Sequence, residues 1–386
     1  MIPYGKQHIN QDDIDKVVDV LKSDFLTQGP QVPLFEKSVS NYCNSKFGIA
    51  VNSATSALHL SCLALGLGKG DWLWTSPNTF VASANCALYC GAKVDFIDID
   101  PLTYNLCPHE LEKKLIQAKR ANKLPKIVIP VHFAGQSCDM KSIHSLSKEY
   151  GFKIIEDASH AIGSKYLNKR VGGCQYSDIT VFSFHPVKII TTCEGGMALT
   201  NSEELSNSMR RLRTHGITND KSITPSRPKN EIWNYQQIEL GLNYRMTDIH
   251  AALGSSQLTR LDEFVSSRHD IAKKYDIAFK QMPVVTPMQV PESYSSFHLY
   301  PILIKQSKSK KTQKHIYNAL IKNGVAANLH YIPVYRHAYY ESLGFKQGYC
   351  PNAEDYFKSS ISIPMFPSIT ADSQSRVIEI INEELD

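Results

Sequence analysis

The sequence lacks an apolar run long enough to cross a bilayer, and residues 1–7 lack the basic end and apolar stretch of a secretion signal. It also lacks a strong charge imbalance. The 42 Lys and Arg residues and 37 Asp and Glu residues leave a net charge of +5, scattered along the chain. These absences argue against a membrane or nucleic-acid partner and predict a cytoplasmic protein.

Metal-binding and nucleotide-binding motifs are also scarce. The nine cysteines, an odd number without a signal peptide, predict free thiols in a reducing compartment. Cys86 and Cys90 lie four apart, but no second Cys or His pair with ligand spacing follows, so no metal site is predicted. Gly66, Gly68 and Gly70 follow a helical pattern rather than a strand, which indicates a helix end and turn instead of a dinucleotide fingerprint.

The chain does contain many short apolar runs in its first half. They are 48–51, 72–74, 94–97, 127–131, 153–155, 179–182 and 197–199. Most are continuous rather than alternating, which is typical of strands buried on both faces. Helical patterns such as 56–65 and 140–150 separate many of them. The sequence therefore predicts an α/β fold with a mainly parallel sheet between two layers of helices.

The pattern changes near residue 250. A long polar helical segment, with room for turns inside it, is expected over 247–279, followed by a strand at 300–304 and a helix at 312–323. We therefore predict a large domain over residues 1–250, which includes an N-terminal helical segment. Residues 251–386 would form a long connecting helix and a small C-terminal α+β domain. The N-terminal helix is expected after Asp12 and Asp13, with an apolar stripe at Ile14, Val17, Val18 and Leu21.

Small hydroxyl-bearing residues follow the first predicted strand. The strand ends at Val51 and a helix is expected to start near Thr55. Backbone amides and the hydroxyls of Thr55 and Ser56 would then lie at a helix N-terminus, where they could hold a phosphate dianion. Taken alone, the segment fits a plain Ser/Thr helix cap better.

Two carboxylates, Glu156 and Asp157, end another predicted strand. The carboxyl ends of strands line the ligand crevice in α/β sheets. Asp157 could hold the charge of a bound ring nitrogen, and His160 could donate to a ring oxygen. The alternative is that Asp157 caps a following helix and His160 is an ordinary core residue.

A lysine in an uncharged run is the third candidate. Ser183 ends a strand, and Lys188 has no carboxylate near it in sequence until Glu194. Partial desolvation would favour the neutral, nucleophilic amine that Schiff-base chemistry requires. The alternative is a lysine that reaches the surface. Gly195 and Gly196 are expected to permit a tight turn into the next strand.

Together these three segments provide the groups that pyridoxal phosphate needs, and Phe80 could stack on its ring. With these segments the chain resembles the pyridoxal-phosphate-dependent sugar-nucleotide aminotransferases of the DegT type, which have the aspartate-aminotransferase-like fold (fold type I). The resemblance covers nearly the whole length and is carried by residues 52–58, 156–161, 183–188, 194–196 and 241–248. The lysine motif with Glu194-Gly195-Gly196 is its most specific part.

The resemblance implies a role for each residue around the cofactor ring. Lys188 carries the pyridoxal phosphate as a Schiff base and is the catalytic residue. Asp157 pairs with the pyridine nitrogen. His160 approaches the ring hydroxyl, where many relatives have Gln, and Phe80 stacks on the ring.

The resemblance also implies how the cofactor phosphate is bound. Thr55, Ser56 and Ser183 would contact it from the same chain. Asn243 would reach it from the partner subunit. The active unit would then be a homodimer with shared active sites.

A narrower resemblance is to family members that make the amino sugar of the pseudaminic acid pathway. It is carried by residues 2–5, 24–30, 328–334 and 363–367. It implies that glutamate donates an amino group to C4 of a UDP-linked 4-keto-6-deoxy-N-acetylhexosamine. It also implies a substrate site formed by Tyr4, Asp24, Phe25, Leu26, Thr27, Arg245, His330 and Tyr331. Arg245 and His330 would be the pyrophosphate partners.

Several alternatives stay open. The protein could be a 4-aminotransferase for another UDP-, dTDP- or GDP-linked 4-keto-6-deoxy sugar. A non-catalytic pyridoxal-phosphate-binding regulator is less favoured, because no DNA-binding helix-turn-helix is apparent. Lys188 argues against a sugar dehydratase, since those relatives usually carry His at this position. Gly66, Gly68 and Gly70 follow a helical pattern and not a strand, which argues against a nicotinamide-dependent oxidoreductase.

Overall fold

The computed structural model describes residues 1–228, 230–231, 235–305 and 311–385. Within these residues the helices are α1 (Gln11–Leu21), α2 (Gln31–Cys43), α3 (Ala54–Ala64), α4 (Ala82–Tyr89), α5 (Pro108–Arg120), α6 (Met140–Tyr150), α7 (Glu203–Arg213), α8 (Asp248–Leu258), α9 (Leu261–Ala278), α10 (Gln313–Lys322), α11 (Ala338–Ser342), α12 (Pro351–Ser359) and α13 (Ala371–Leu385). None of these helices has the length and hydropathy needed to cross a membrane.

The strands are mostly short. They are β1 (Phe47–Val51), β2 (Trp72–Thr75), β3 (Lys93–Phe96), β4 (Ile127–Ile129), β5 (Lys153–Asp157), β6 (Lys165–Tyr166), β7 (Lys169–Arg170), β8 (Ile179–Ser183), β9 (Gly196–Thr200), β10 (Ile217–Thr218), β11 (Gln236–Gln237), β12 (Val284–Val285), β13 (Ser293–Tyr294), β14 (Tyr300–Ile304) and β15 (Ser360–Ile363).

A seven-stranded sheet forms the centre of the fold, in the order β1-β9-β8-β5-β4-β2-β3. Strands β8, β5, β4, β2 and β3 are parallel to one another, whereas β9 runs antiparallel to both β1 and β8. All seven apolar runs found in the sequence form strands of this sheet. The predicted α/β fold with a mainly parallel sheet is confirmed.

Helices cover both faces of the sheet and bury its apolar side chains. On one face Leu58 of α3 and Met209 of α7 belong to the same buried cluster as Val181 of β8. On the other face Leu115 of α5 packs in a cluster with Val128 of β4. Because both faces are covered, the strands need apolar residues at successive positions, which explains the continuous runs.

A second, three-stranded antiparallel sheet in the order β12-β14-β15 lies in the C-terminal part. Tyr275 of α9, Leu320 of α10 and Ile381 of α13 share its buried cluster. Val334 and Tyr335, however, belong to the cluster beside the central sheet. The division into residues 1–250 and 251–386 therefore stays a proposal.

The first helix differs from the expectation in its start and in its apolar stripe. The Asn10 side chain accepts a hydrogen bond from the Asp13 amide, and the Asp13 carboxylate accepts one from the Asn10 amide. This capping box places Asp12 and Asp13 inside the first turn rather than before it. Ile14 is 47% exposed and Leu21 is 56% exposed, so the stripe is not fully buried in this chain.

Candidate active site

A cavity of about 630 Å³ lies at the carboxyl ends of strands β5 and β8. Its wall includes residues from the α3 start, the α4 start and the segment 328–332. The predicted site residues that line it are Tyr4, Thr55, Phe80, Asp157, His160, Ser183, Lys188, His330 and Tyr331. The structure thus brings together residues that are separated by up to several hundred positions in the sequence.

Lys188 lies in the loop after β8, and its side chain lines the cavity. The backbone N–H of Lys188 donates to the His185 carbonyl at 2.9 Å, which holds the loop in a turn. Burial lowers the pKa of the Lys188 amine to about 8, although the nearby Asp157 carboxylate raises it. Within the described residues, the amine has no hydrogen-bond or ion-pair partner. The residue is half-buried and its side chain faces the cavity, so the amine is partly desolvated, as the sequence predicts.

Asp157 ends β5 with its carboxylate held from two sides. The Ser83 hydroxyl donates to Oδ2 at 2.6 Å, and the Ser159 backbone N–H donates to Oδ1 at 3.1 Å. Asp157 is 5% exposed and lines the cavity. Residues 158–164 contain turns and no helix, so the alternative in which Asp157 caps a helix is excluded.

Glu156, the neighbouring carboxylate, does not line the cavity because successive strand residues point to opposite faces. It lies 2.7 Å from the His132 ring and accepts a hydrogen bond from Thr180 at 3.0 Å. Burial alone would lower the pKa of His132, but contacts with Cys138 and Glu156 raise it to about 10. Glu156 is therefore half of a buried ion pair in the core.

His160 is neutral and fixed in one tautomer. The Ala134 N–H donates to its Nδ1 at 3.3 Å, so Nε2 carries the hydrogen and lies 3.2 Å from the Tyr331 hydroxyl. Burial, and then the charge of Lys188, lowers the pKa of His160 well below its usual range. His160 therefore presents a neutral N–H rather than a charged ring.

His298 also lines the cavity, although no sequence pattern indicated it. Its ring centroid lies 4.4 Å from that of His160. Within the described residues its buried Nδ1 has no hydrogen-bond partner. The residue precedes a predicted strand at 300–304 without a motif of its own, so the chain gave no signal for it.

Helix α3 begins with an ordinary cap. The Ser53 hydroxyl accepts a hydrogen bond from the Ser56 amide at 3.1 Å, as the cap alternative requires. The Ser56 hydroxyl donates to Asn52 at 2.6 Å and does not line the cavity. Thr55 does line it, beside the first amides of the helix. The candidate phosphate site therefore consists of Thr55, these amides and Ser183.

Gly196 allows β9 to approach this helix start closely. It pairs with Ser183 of β8. A Cβ atom at Gly196 would lie 2.4 Å from the Ala54 nitrogen and 2.5 Å from the Ser53 carbonyl carbon. Neither Gly195 nor Gly196 has a positive φ, so left-handed backbone is not the reason for these glycines. Close packing is the physical reason for a glycine here.

Phe80 borders the cavity with 62% of its surface exposed. Burial would normally stabilise such a large apolar ring, so its exposure within a cavity leaves a face available for a planar ligand. This position agrees with a stacking role.

The other predicted residues lie outside the cavity of this chain. They are Asp24, Phe25, Leu26, Thr27, Ser56, Asn243 and Arg245. The 24–27 loop is tied to the start of α8, where the Asp248 N–H donates to the Leu26 carbonyl at 3.0 Å. Arg245 forms an isolated bridge with Val51, and Asn243 is exposed. In a single chain these side chains therefore do not line the cavity with Lys188.

His330 lines the cavity as a neutral residue. Its Nδ1 lies 2.9 Å from the Ser362 hydroxyl, and its Nε2 lies 3.2 Å from the Asn328 amide. Burial, and then Lys188, lowers the pKa of His330 to about 3. A neutral ring does not attract the negative charge of a pyrophosphate, so the electrostatics do not support the pyrophosphate role expected for His330. Tyr4 lies beside it, with the two ring centroids 5.6 Å apart.

Known proteins resemble the chain over its whole length. The model of the DegT/DnrJ/EryC1/StrS aminotransferase family matches residues 7–382. The UDP-4-amino-4,6-dideoxy-N-acetyl-β-L-altrosamine transaminase of Campylobacter jejuni is 39% identical over 365 residues, covering 94% of this chain and 92% of the relative.

Solved structures show the same fold. Helicobacter pylori PseC, an aminotransferase involved in the biosynthesis of pseudoaminic acid, has a TM-score of 0.90 at 32% identity. The match covers 100% of this chain and 99% of the PseC chain. Spr1654 of Streptococcus pneumoniae, solved in its PLP-form, has a TM-score of 0.88 at 28% identity and covers 100% of both chains.

The residues present fit pyridoxal 5'-phosphate (PLP). The cavity offers an amine without a partner at Lys188, a fixed carboxylate at Asp157, an exposed aromatic face at Phe80 and a helix N-terminus beside Ser183. These groups match the aldehyde, the ring nitrogen, the ring face and the phosphate of this cofactor. The chain belongs to the DegT/DnrJ/EryC1/StrS aminotransferase family and is a PLP-dependent aminotransferase of fold type I.

Proposed function

We propose that the protein transfers an amino group from glutamate to C4 of a UDP-linked 4-keto-6-deoxy-N-acetylhexosamine. The product would be UDP-4-amino-4,6-dideoxy-N-acetyl-β-L-altrosamine, an intermediate of pseudaminic acid biosynthesis. The names of the Campylobacter and Helicobacter relatives support this substrate. The observation that carries the proposed chemistry is the partnerless Lys188 amine in one cavity with Asp157.

Lys188 would act as both the attachment point and the proton carrier. When bound, PLP supplies an electron sink that stabilises negative charge on the carbon next to the reacting nitrogen. The neutral Nζ of Lys188 would remove the α-proton of the amino donor. In the second half-reaction, the protonated Nζ would return a proton to C4 of the sugar. A pKa of about 8 suits both directions near neutral pH.

The other cavity residues would orient the cofactor. Asp157 would hold the positive charge on the ring nitrogen, and Phe80 would stack on the ring. The neutral His160 would lie near the ring hydroxyl without adding charge. Thr55 and Ser183 would bind the phosphate beside the α3 amides.

The active unit is proposed to be a homodimer. Asn243, Arg245 and residues 24–27 lie outside the cavity of their own chain, so they would act at the site of the partner subunit. Phe25 and Leu34, respectively 54% and 52% exposed, provide apolar surface near this loop. The partners would be the nucleotide sugar, glutamate and the second subunit. All nine cysteines, each within the described residues, are free, which supports a cytoplasmic location.

Product analysis tests the proposal. The purified holoenzyme is incubated with glutamate and a panel of UDP-, dTDP- and GDP-linked 4-keto-6-deoxy sugars, and each product is examined by mass spectrometry and NMR. We expect nitrogen at C4 of the UDP-linked N-acetylhexosamine and formation of 2-oxoglutarate. Preferred turnover of another sugar would replace the substrate assignment. A product that has lost a hydroxyl without gaining nitrogen would indicate a dehydratase, and no turnover of any sugar would favour a regulator.

A further inference from the structure

A chain of buried hydroxyl groups leads to the Asp157 carboxylate. The Ser83 hydroxyl lies 2.6 Å from Asp157 Oδ2, and the Thr79 hydroxyl lies 2.8 Å from the Ser83 hydroxyl. Ser83 is fully buried in the first turn of α4, and Thr79 is 3% exposed. Neither residue was indicated by the sequence as part of the site.

The direction of these hydrogen bonds follows from the chemistry of the groups. An ionised carboxylate can only accept, so Ser83 must donate its single hydrogen to Asp157. The Ser83 oxygen can then only accept from Thr79, which becomes the first donor of the chain. The Phe80 carbonyl, 3.5 Å from the Ser83 hydroxyl, is the weaker alternative acceptor.

The same contacts fix the carboxylate in space. Oδ2 is held by Ser83, and Oδ1 is held by the Ser159 backbone N–H at 3.1 Å. Hydrogen bonds to an ionised group are shorter and stronger than neutral ones. With both oxygens held, the carboxylate cannot rotate freely. Thr79 directly precedes Phe80, so the hydroxyl chain also connects the proposed ring-stacking segment to the proposed ring-nitrogen partner.

We propose that Ser83 is a positioning residue, oriented by Thr79, that holds the Asp157 carboxylate toward the ring nitrogen of PLP. This inference rests on the role proposed above for Asp157. Ser83 would touch neither the cofactor nor the substrate and would act through Asp157 alone. Without the Ser83 hydroxyl, Asp157 should stabilise the protonated ring nitrogen of the cofactor less well. Lys188 and the phosphate site should be unaffected.

The test compares Ser83→Ala with the matched control Ser61→Ala. Ser61 is also fully buried, but it lies in α3, where its hydroxyl donates to the Ala57 carbonyl at 2.7 Å and has a long contact of 3.8 Å with the Met209 sulfur. We expect Ser83→Ala to bind PLP about tenfold more weakly and to shift the pH midpoint of the bound cofactor's absorbance. Ser83→Thr, which keeps the hydroxyl, should restore both values in part. Thr79→Val should have a smaller effect in the same direction, and Ser61→Ala should change neither value.

A double-mutant cycle separates the two roles. If Ser83 acts through Asp157, Ser83→Ala should add nothing to the weakened PLP binding of Asp157→Asn. If Asp157→Asn weakens PLP binding but Ser83→Ala changes neither PLP binding nor the cofactor's absorbance, the role proposed for Ser83 is overturned and that of Asp157 stands. Unchanged PLP binding in Asp157→Asn would instead overturn the role proposed for Asp157. Equal effects of Ser83→Ala with and without Asp157 would show a purely structural contribution and would also overturn the inference.

Discussion

The Lys188 amine and the Asp157 carboxylate share one cavity and have an electrostatic relationship that sets the state of the lysine. Burial lowers the pKa of Lys188 from its ordinary value of 10.5 to about 8, and the negative charge of Asp157 limits this decrease. At pH 7 about a tenth of the Lys188 amine is therefore neutral and nucleophilic, a far larger fraction than for an ordinary surface lysine.

The first prediction concerns this titration in the PLP-free protein. Modification of Lys188 by an amine-selective acylating reagent should increase with pH around a midpoint near 8. Asp157→Asn should move the midpoint to lower pH, because it removes the charge that favours the protonated amine. Peptide mass spectrometry measures the rate at each pH, with exposed lysines of the same digest as the reference. A midpoint near 10.5 would contradict the desolvated amine.

The second prediction concerns Gly196. Gly196→Ala should destabilise the protein by about 1–3 kcal/mol and weaken PLP binding, because the added methyl would collide with the backbone at the start of α3. Urea unfolding and PLP titration measure the two effects. Gly68→Ala is the control, since a Cβ there meets no atom within 4 Å and φ is not positive. Gly68→Ala should stay within about 0.5 kcal/mol of the original protein. Equal unfolding free energies and equal PLP affinities in Gly196→Ala and Gly68→Ala would disprove the close-packing explanation.

The third prediction concerns Phe80. Phe80→Ala should weaken PLP binding by roughly two- to tenfold, which is the range for loss of an aromatic stacking contact. Its stability without PLP should change little, because the ring is 62% exposed. Tyr339→Ala is the matched control, since Tyr339 is 60% exposed and lies outside the cavity. A large loss of stability without a change in PLP binding would identify Phe80 as a structural residue instead.

The fourth prediction concerns the shared active site. Lys188→Met and Asn243→Ala should each have strongly reduced turnover as pure proteins. Mixed dimers contain one doubly altered site and one intact site, so mixing and reassembling the subunits should restore roughly a quarter of the original activity. Turnover after reassembly measures this. No recovery, despite mixed dimers detected by native mass spectrometry, would place Asn243 in the site of its own chain.

The fold could be predicted from the sequence because its central strands are buried on both faces. Their apolar runs are continuous and easy to recognise, and each of them lies in the seven-stranded sheet. The two-residue strands, such as Ile217–Thr218, were not predicted, since two residues show no periodicity. The apolar stripe of α1 was predicted correctly as a helical pattern, but the sequence could not show that Ile14 would stay exposed.

The site was only partly predictable. Motifs around Lys188 and Asp157 carried enough chemistry to be recognised, and the structure brings both into one cavity. Ser83 was missed because its contact with Asp157 joins positions 74 residues apart, and a buried serine has no pattern of its own. The close approach of Gly196 to α3 could not be predicted, because a sequence shows that a glycine is present but not whether a turn or a close approach requires it.

The most direct test of the central claim is to identify the amine that carries PLP. The holoenzyme is reduced with borohydride, which makes the link between the cofactor and its lysine permanent, and the digested protein is then mapped by mass spectrometry. We predict one cofactor mass per chain, located on Lys188, and no such mass in Lys188→Met. A label on another lysine, or full turnover by Lys188→Met, would contradict the account.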